Sequence, residues 1–188
     1  MPSTLAQAAR EALTRPGRLW DVGELLARPS VVPAAPGLYG WHFGRAPHPD
    51  LPAGRLLYVG IAPRAAPVAG RTPQNLRKRL RTHVRGNASS STLRRSLGVL
   101  LGVELRCTGS GRLVFGPEGE AELNRWMAEH ARVCWWEHES PWTAEGPLIQ
   151  LLDLPLNLAG NASHPFHPRL TVLRARAAAQ ARSLPTPG

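Results

Sequence analysis

Two tyrosines lie beside glycines in two short segments that are predicted to be β-strands. They are the only tyrosines of the 188-residue chain, Tyr39 in Gly37-Leu38-Tyr39 and Tyr58 in Tyr58-Val59-Gly60. Because side chains alternate along a strand, pairing of the two strands would place both phenols close together on one face of a sheet. A phenol can accept a proton from water, but with a pKa of about 10 it is a poor base unless cations lie nearby.

A basic helix is predicted after the second strand. Over 74–84 the apolar residues Leu76, Leu80 and Val84 fall on one helical face. The basic side chains predicted to point elsewhere and to contact nucleic-acid phosphates are Arg77, Lys78, Arg81 and Arg85. The whole chain has a net charge of +10 and a pI of about 11.4, so it attracts polyanions. Nucleic acid is the leading candidate partner, and an anionic membrane surface is the second.

Five elements, in order, resemble the motif of the GIY-YIG nuclease family. Gly37-Leu38-Tyr39 resembles the GIY element and Tyr58-Val59-Gly60 the YIG element, each with its isoleucine replaced conservatively. The segment Asn75-Leu76-Arg77-Lys78-Arg79-Leu80-Arg81-Thr82-His83 is similar to the family's first helix. Glu145, followed by Leu148-Ile149, resembles the metal-binding glutamate, and Asn157 the late asparagine. The resemblance spans about 37–157, which is most of the chain.

The resemblance implies a phosphodiesterase that acts with one Mg²⁺ (or Mn²⁺). The site residues that it implies are Tyr39, Tyr58, Arg79, His83, Glu145 and Asn157. In this scheme Tyr39 takes the proton from the attacking water, and Tyr58 positions that water or holds Tyr39. Arg79 is the catalytic arginine, His83 hydrogen-bonds to a tyrosine or a phosphate, and Glu145 holds the metal.

The chemistry of these residue types suits phosphodiester cleavage, which needs an activated water and neutralisation of charge at phosphorus. One Mg²⁺ held by a carboxylate can act as Lewis acid and template. Glu145 can be its sole protein ligand, because Mg²⁺ often keeps several waters. Arg79 offers a fixed fork of donors to a phosphate oxygen and stays charged. Together with the metal it would lower the pKa of Tyr39.

Each of these residues also has an ordinary structural explanation. Tyrosines in strands usually pack, and a carboxylate such as Glu145 suits a helix start. His83 as a cation would suit the end of its helix, and Asn157 would suit a turn after proline. The acidic group Glu118, Glu120 and Glu122 is explained better as the first turn of a helix than as a set of metal ligands.

Two other functions stay open beside the endonuclease. One is a nucleic-acid-binding module with the same fold that does not cleave, and the other is a basic α/β interaction protein with a coincidental motif. DNA is favoured as the substrate, and RNA stays open because no residue pattern reads a 2′-hydroxyl. Sequence specificity could come from 85–111, from the arginines of the last helix, from a dimer or from a partner protein.

The elements predict an α/β fold, with a small, mostly antiparallel sheet of about three strands flanked by helices. Strands are predicted over 38–43, 56–61 and 133–137, with short ones at 103–107 and 113–115. Helices are predicted over 3–26 in one or two pieces, 74–84, from Ser90 or Ser91 onward, 118–133, 143–151 and 170–182.

The domain organisation predicted is one nuclease-like domain over 31–168, with a helical extension over 1–30 and an Arg/Ala helix and tail over 169–188. Cys107 and Cys134 are too few for a disulfide framework. No apolar stretch reaches the length of a membrane span, and the N-terminus lacks the hydrophobic region of a secretory signal. We therefore expect a cytoplasmic protein.

Overall fold

The computed structural model describes residues 4–70 and 72–185, so Ser3 and the last three residues of the tail lie outside it. Its strands are β1 (Trp20–Asp21), β2 (Gly37–Phe43), β3 (Arg55–Ala62), β4 (Arg106–Cys107), β5 (Leu113–Val114) and β6 (Ala131–Glu137). Its α-helices are α1 (Thr4–Thr14), α2 (Val22–Leu26), α3 (Leu76–Arg85), α4 (Thr92–Leu100), α5 (Gly116–His130), α6 (Glu145–Leu151) and α7 (His167–Ser183). A short 3₁₀ turn spans Pro141–Thr143.

The central sheet contains β1, β6, β2 and β3 in that order, and every neighbouring pair is antiparallel. The predicted α/β class with a small antiparallel sheet is confirmed. The sheet has four strands rather than three, because the two-residue strand β1 pairs with the edge of β6. Strands β4 and β5 form a separate hairpin.

A β-bulge in β3 decides which way Tyr58 points. Trp41 pairs with Tyr58 and His42 with Leu56, so Leu57 is an extra residue opposite β2. After the bulge, Tyr58 and Gly60 lie on the same face as Tyr39, which packs with Tyr58 in one apolar cluster. The prediction that both phenols occupy one sheet face is confirmed.

Helices cover both faces of the sheet, which explains why all seven residues of β2 are buried. Leu76, Leu80 and Val84 of α3 pack on the face that holds the tyrosines, together with residues of α4, α5 and α7. Ala9 and Leu13 of α1 pack on the opposite face with Leu148 and Ile149 of α6. Helices α3 and α6 therefore approach the sheet from opposite sides.

Side-chain caps fix the starts of the helices around the tyrosines. Asn75 accepts a hydrogen bond from the Lys78 N–H at 2.9 Å at the start of α3. Ser91 caps α4 by accepting from the Arg94 N–H at 3.2 Å.

None of the helices in residues 4–70 and 72–185 is long and apolar enough to cross a bilayer. The three-part domain division and the cellular location remain predictions.

Candidate active site

The glycines of the two tyrosine segments make room for close backbone packing. Tyr39 and Gly60 are cross-strand partners, and a Cβ on Gly60 would overlap with the Tyr39 hydroxyl. A Cβ on Gly37 would lie 2.5 Å from the carbonyl oxygen of Trp136 on β6. Only glycine fits at these positions without displacing its neighbours, so the two glycines place Tyr39 against the sheet.

His83 connects Tyr39 to the start of α4. Its Nε2 lies 2.7 Å from Tyr39 Oη, and its Nδ1 lies 2.7 Å from Ser91 Oγ. A neutral imidazole donates through one ring nitrogen and accepts through the other, so both nitrogens have a partner. The ring orientation of His83 is thereby fixed by residues from β2 and α4.

His83 is a neutral imidazole in the folded protein. Its ring is fully buried, and burial lowers its pKa well below the usual value, helped by the positive charges of Arg79, Arg94 and Arg64. The alternative that His83 caps the end of α3 as a cation is therefore wrong. The ring instead bonds to Tyr39 and Ser91.

Arg79 contacts the same phenol oxygen as His83. The two residues are four positions apart on α3, which places them on one helix face. Arg79 Nε donates to Tyr39 Oη at 3.3 Å, and its Nη1 donates to the Ser90 carbonyl at 3.4 Å. The guanidinium is half-buried, and no carboxylate in the described parts of the chain lies within ion-pair distance of it.

A cleft of about 350 Å³ opens beside these residues and is lined by Tyr58, Glu145, Arg64 and Thr92. Tyr39 is only 1% exposed, whereas Tyr58 is 8% exposed and forms part of the cleft wall. Burial raises the pKa of Tyr58, and Arg79 and a hydrogen bond with Thr92 act against this. Burial raises the pKa of Tyr39 far more, so both phenols are protonated at rest.

Glu145 is the carboxylate of this cleft. It begins α6 and is half-buried, and burial raises its pKa, while the positive charges of Arg64 and Arg79 act to lower it. Over residues 4–70 and 72–185 its carboxylate forms neither a hydrogen bond nor an ion pair. Partial burial without a direct partner is costly for a carboxylate, which is typical of a group that serves a ligand.

Asn157 binds the outer edge of β3. Its Oδ1 accepts from the Val59 N–H at 2.9 Å, and its Nδ2 donates to the Val59 carbonyl at 2.8 Å. The Leu156 N–H also donates to the Leu57 carbonyl at 3.1 Å. These bonds satisfy backbone groups next to Tyr58 that an edge strand would otherwise leave unpaired. The side chain of Asn157 therefore holds Tyr58 and the 154–157 segment together.

The family model for the GIY-YIG catalytic domain matches residues 52–176. The chain belongs to the GIY-YIG family. No curated protein and no solved structure matches it. The match begins after β2, so the Tyr39 segment precedes it in sequence, and pairing of β2 with β3 brings Tyr39 beside the matched Tyr58.

Membership in the GIY-YIG family indicates a nuclease, and so a nucleic-acid substrate, since domains of this family are usually endonucleases. Such nucleases generally use a divalent metal ion. The described residues contain no group of three or more His, Cys, Asp or Glu that could hold a metal. A single half-buried carboxylate, Glu145, fits a hard cation such as Mg²⁺ that keeps most of its waters.

The basic residues predicted to bind nucleic acid lie on other faces of α3 than Arg79. Two residues along a helix turn the side chain by about 200°, so Arg77 and Arg81 point away from Arg79. Arg77, Arg81 and Arg85 line a separate groove with Arg28, and Lys78 is exposed. The structure thus brings all six predicted site residues to the cleft or to Tyr39, and Asn157 both lines the cleft and bonds to β3 beside Tyr58. The predicted nucleic-acid-binding residues of α3 lie away from them.

Sequence reasoning missed the residues that hold His83 in place. Arg94 is fully buried and forms an ion pair with Glu120 at 2.5 Å, while its Nη1 donates to the His83 carbonyl at 3.1 Å. Glu120 also accepts from the Ala88 N–H at 2.8 Å. The only available signal was a basic residue within the apolar pattern of α4, three positions after its cap.

Replacing Gly60 with alanine should destabilise the protein and displace the Tyr39 phenol. The added methyl group overlaps with the Tyr39 hydroxyl inside a packed core, and overpacking of this kind costs about 1–3 kcal/mol. Urea denaturation should show that loss in the free energy of unfolding. Gly17→Ala is the matched control, because a Cβ there meets nothing within 4 Å. Equal stability of the two variants would contradict the close approach of Tyr39 to β3.

The stability of the protein should fall as the pH drops below about 6.5. The pKa values of His83 and His42 are lowered in the folded state, chiefly by burial. Below the pKa of a histidine in the unfolded chain, the unfolded chain therefore binds protons that the folded chain does not bind. The free energy of unfolding then decreases by up to about 1.4 kcal/mol per pH unit for each histidine. Urea denaturation between neutral pH and pH of about 5 measures this slope.

A pair of variants identifies the source of that slope. His83→Gln should lose part of it, whereas His130→Gln, which changes a more exposed histidine, should keep it. An unchanged slope in His83→Gln would show that folding does not lower the pKa of His83. The groups that face His83 and set its behaviour are Tyr39, Ser91, Arg79 and Arg94.

Proposed function

We propose that this protein is a metal-dependent endonuclease that hydrolyses phosphodiester bonds of nucleic acid, with DNA as the favoured substrate. The observation that carries the proposal is the convergence of two side chains of α3 on one phenol. Arg79 and His83 both hydrogen-bond to Tyr39 Oη, beside a cleft whose carboxylate, Glu145, has no direct partner among the described residues. This arrangement supports roles for Tyr39 in proton transfer, for Arg79 in binding phosphate and for Glu145 in holding a metal ion.

Glu145 would hold the metal ion, with Mg²⁺ favoured and Mn²⁺ as a substitute. When bound, such an ion lowers the pKa of a coordinated water and neutralises charge on the phosphate. The raised pKa of Glu145 supports this assignment, because a cation would relieve the cost of burying the carboxylate. The positive charges of Arg64 and Arg79 help to keep Glu145 ionised at neutral pH.

Tyr39 is proposed as the base that takes a proton from the attacking water. It can do so as its own phenolic proton passes to Nε2 of neutral His83, which lies 2.7 Å away. The guanidinium of Arg79 stabilises negative charge on the phenol oxygen and lowers its pKa. The low pKa of His83 opposes full transfer of that proton, so stabilisation of the phenolate by Arg79 has to offset it.

The other site residues bind and orient. Arg79 offers guanidinium N–H groups to a phosphate oxygen, where charge grows in the transition state. Tyr58 lines the cleft and positions the attacking water. Asn157 is proposed as a positioning residue, because both polar atoms of its side chain bond to Val59.

Glu145 also supports cleavage over mere binding. A module that only binds nucleic acid gains nothing from a half-buried carboxylate, because the carboxylate repels phosphate and costs desolvation energy. The exposed basic side chains of α3 are proposed to contact backbone phosphates at some distance from the cut: Arg77, Lys78, Arg81 and Arg85. They would strengthen binding without taking part in the reaction.

The test is to incubate the purified protein with supercoiled plasmid, single-stranded DNA and structured RNA, with Mg²⁺, with Mn²⁺ or with EDTA. We expect cleavage that needs the metal, with DNA cut faster than RNA. Protein carrying Glu145→Gln, purified in parallel, reveals any contaminating nuclease. Salt-sensitive binding of all three substrates with no cleavage under any condition would refute the endonuclease in favour of a binding module.

A further inference from the structure

The last helix contributes a second cation to the cleft. Arg174 of α7 lines the cleft together with Tyr58, Thr92 and Glu145. It is half-buried. Its Nη1 donates to Ser96 Oγ at 3.2 Å, which is a neutral partner. The guanidinium therefore sits at the wall of the proposed active site and is not held by a carboxylate.

Two arginines of the protein show what an internal acidic partner looks like. Arg94, the most buried, pairs with Glu120 at 2.5 Å, and Arg55 pairs with Asp153 at 2.7 Å. In the described parts of the chain no carboxylate lies within ion-pair distance of Arg174. Arg79 is likewise half-buried without an acidic partner among the described residues, and so is Arg95, whose Nε donates to the Ala88 carbonyl. Arg174 thus shares the pattern of Arg79 rather than that of the structural arginines.

Burial and a neighbouring positive charge destabilise the charged guanidinium of Arg174 in the protein without a ligand. Burial lowers its pKa, and the positive charge of Arg95 lowers it further. Two positive charges whose fields overlap favour an anion nearby, and Arg174 lines the cleft, where its guanidinium can donate to a phosphate oxygen. A fold that retains such a cation without an internal partner keeps it available for a ligand.

We propose that Arg174 binds a backbone phosphate of the nucleic acid beside the one that is cut. This inference rests on the proposed function, since it needs the same cleft to hold nucleic acid. On this basis α7 fixes the strand from one side while Arg79 contacts the scissile phosphate from the other. Arg174 is a binding residue that sets where the strand lies relative to Glu145.

The experiment measures binding separately from cleavage. Wild type, Arg174→Gln and the control Arg176→Gln are titrated into a short fluorescein-labelled DNA duplex in EDTA, at several salt concentrations. Arg176 lies on the same helix outside the cleft, so its variant removes the same charge elsewhere. We expect Arg174→Gln to weaken binding about tenfold and to reduce the slope of log K against log salt by about one. Arg176→Gln should change both quantities much less.

A second variant and a measurement of thermal stability distinguish a loss of phosphate binding from a loss of folding. Arg174→Lys should retain the salt slope but not the full affinity, because it keeps the charge and loses the planar fork. The Tm of Arg174→Gln should be no lower than that of wild type, because an unpaired half-buried cation is removed. A Tm several degrees lower, or a Kd equal to that of Arg176→Gln, would overturn the proposal.

The experiment distinguishes failure of the Arg174 proposal from failure of the proposed endonuclease function. Binding is read in EDTA, so a wild-type protein that binds DNA but never cleaves it counts against the endonuclease and still shows whether Arg174 contacts a phosphate. A wild-type protein that binds no duplex would overturn the Arg174 proposal as well.

Discussion

Glu145→Gln protein should bind DNA at least as tightly as the wild type, because a carboxylate that repels phosphate is removed, and cleave it at least about a thousandfold more slowly. Glu145 is the carboxylate that lines the cleft, and no cluster of other potential ligands exists in the described residues to replace it. The amide keeps the shape of the side chain but loses the charge that holds a hard cation. Single-turnover cleavage with Mg²⁺ measures the rate, and fluorescence anisotropy in EDTA measures the affinity.

Glu122→Gln is the matched control for this variant. Glu122 is exposed on α5, takes part in no ion pair within the described residues and lies outside the cleft. Its substitution removes the same charge and should leave cleavage near the wild-type rate. Cleavage by Glu145→Gln at the same rate as Glu122→Gln would mean that the metal ligand has been misassigned.

Much of the fold could be predicted from local sequence. The strands around Tyr39 and Tyr58 are short, apolar and bounded by glycine and proline, and the structure places them within one residue of the predicted bounds. Helix α3 follows from three apolar residues at helical spacing behind an asparagine cap. These signals lie within a few residues of one another, so no tertiary information is needed to detect them.

The misplaced boundaries depend on tertiary pairing. The helix predicted to run to Val133 ends at His130, because Ala131 already pairs with Phe43 in the sheet. Strand β1 has two residues and exists because Trp20 and Asp21 pair with β6, and Trp20 stacks on Trp135. Helical propensity continues across such junctions, and only the partner strand decides where the helix stops.

The six predicted site residues came from motif order, whereas their supporting contacts could not be predicted. The sequence predicted that this helix begins at Ser90 or Ser91, but the hydrogen bond of Ser91 to His83 depends on how α3 and α4 pack. Glu120 resembles an ordinary acid in the first turn of a helix until the fold places it against Arg94, 26 positions away in the chain. Contacts between distant segments leave no periodic signal in the sequence.

Among the described residues, the charged groups of the candidate site form no internal ion pair. Burial opposes the charge on Glu145 and Arg174, and His83 is kept neutral. The well-paired Arg94 and Glu120 lie behind His83 and hold it in place. The ion pair of Arg94 and Glu120 thus stabilises the fold behind the site, while the charges of Glu145 and Arg174 remain without an opposite charge and can bind a ligand.

Arg79→Gln protein should cleave about a thousandfold more slowly than the wild type and show a pH–rate profile displaced toward higher pH. The guanidinium is proposed to bind the phosphate, and it also lowers the pKa of Tyr39 by charge and by a hydrogen bond. Because the pKa of Tyr39 is already raised by burial, the rate rises with pH as the phenol loses its proton more readily. Loss of Arg79 raises that pKa further, so a higher pH is needed for the same fraction of phenolate.

Arg81→Gln is the control for this second variant, because it removes the same charge from the opposite side of α3. Arg81 lies in the separate groove with Arg77 and Arg85, so its loss should weaken DNA binding and leave the shape of the pH–rate profile unchanged. Single-turnover rates at saturating protein, measured across pH for both variants, distinguish binding from catalysis. If Arg79→Gln slows cleavage only by weakening binding, with a wild-type pH profile, then Arg79 contacts the substrate but does not tune Tyr39. If Arg79→Gln matches Arg81→Gln in rate as well, the catalytic arginine lies elsewhere in the cleft, and Arg64 becomes the next residue to replace because its charge also acts on Glu145 and His83.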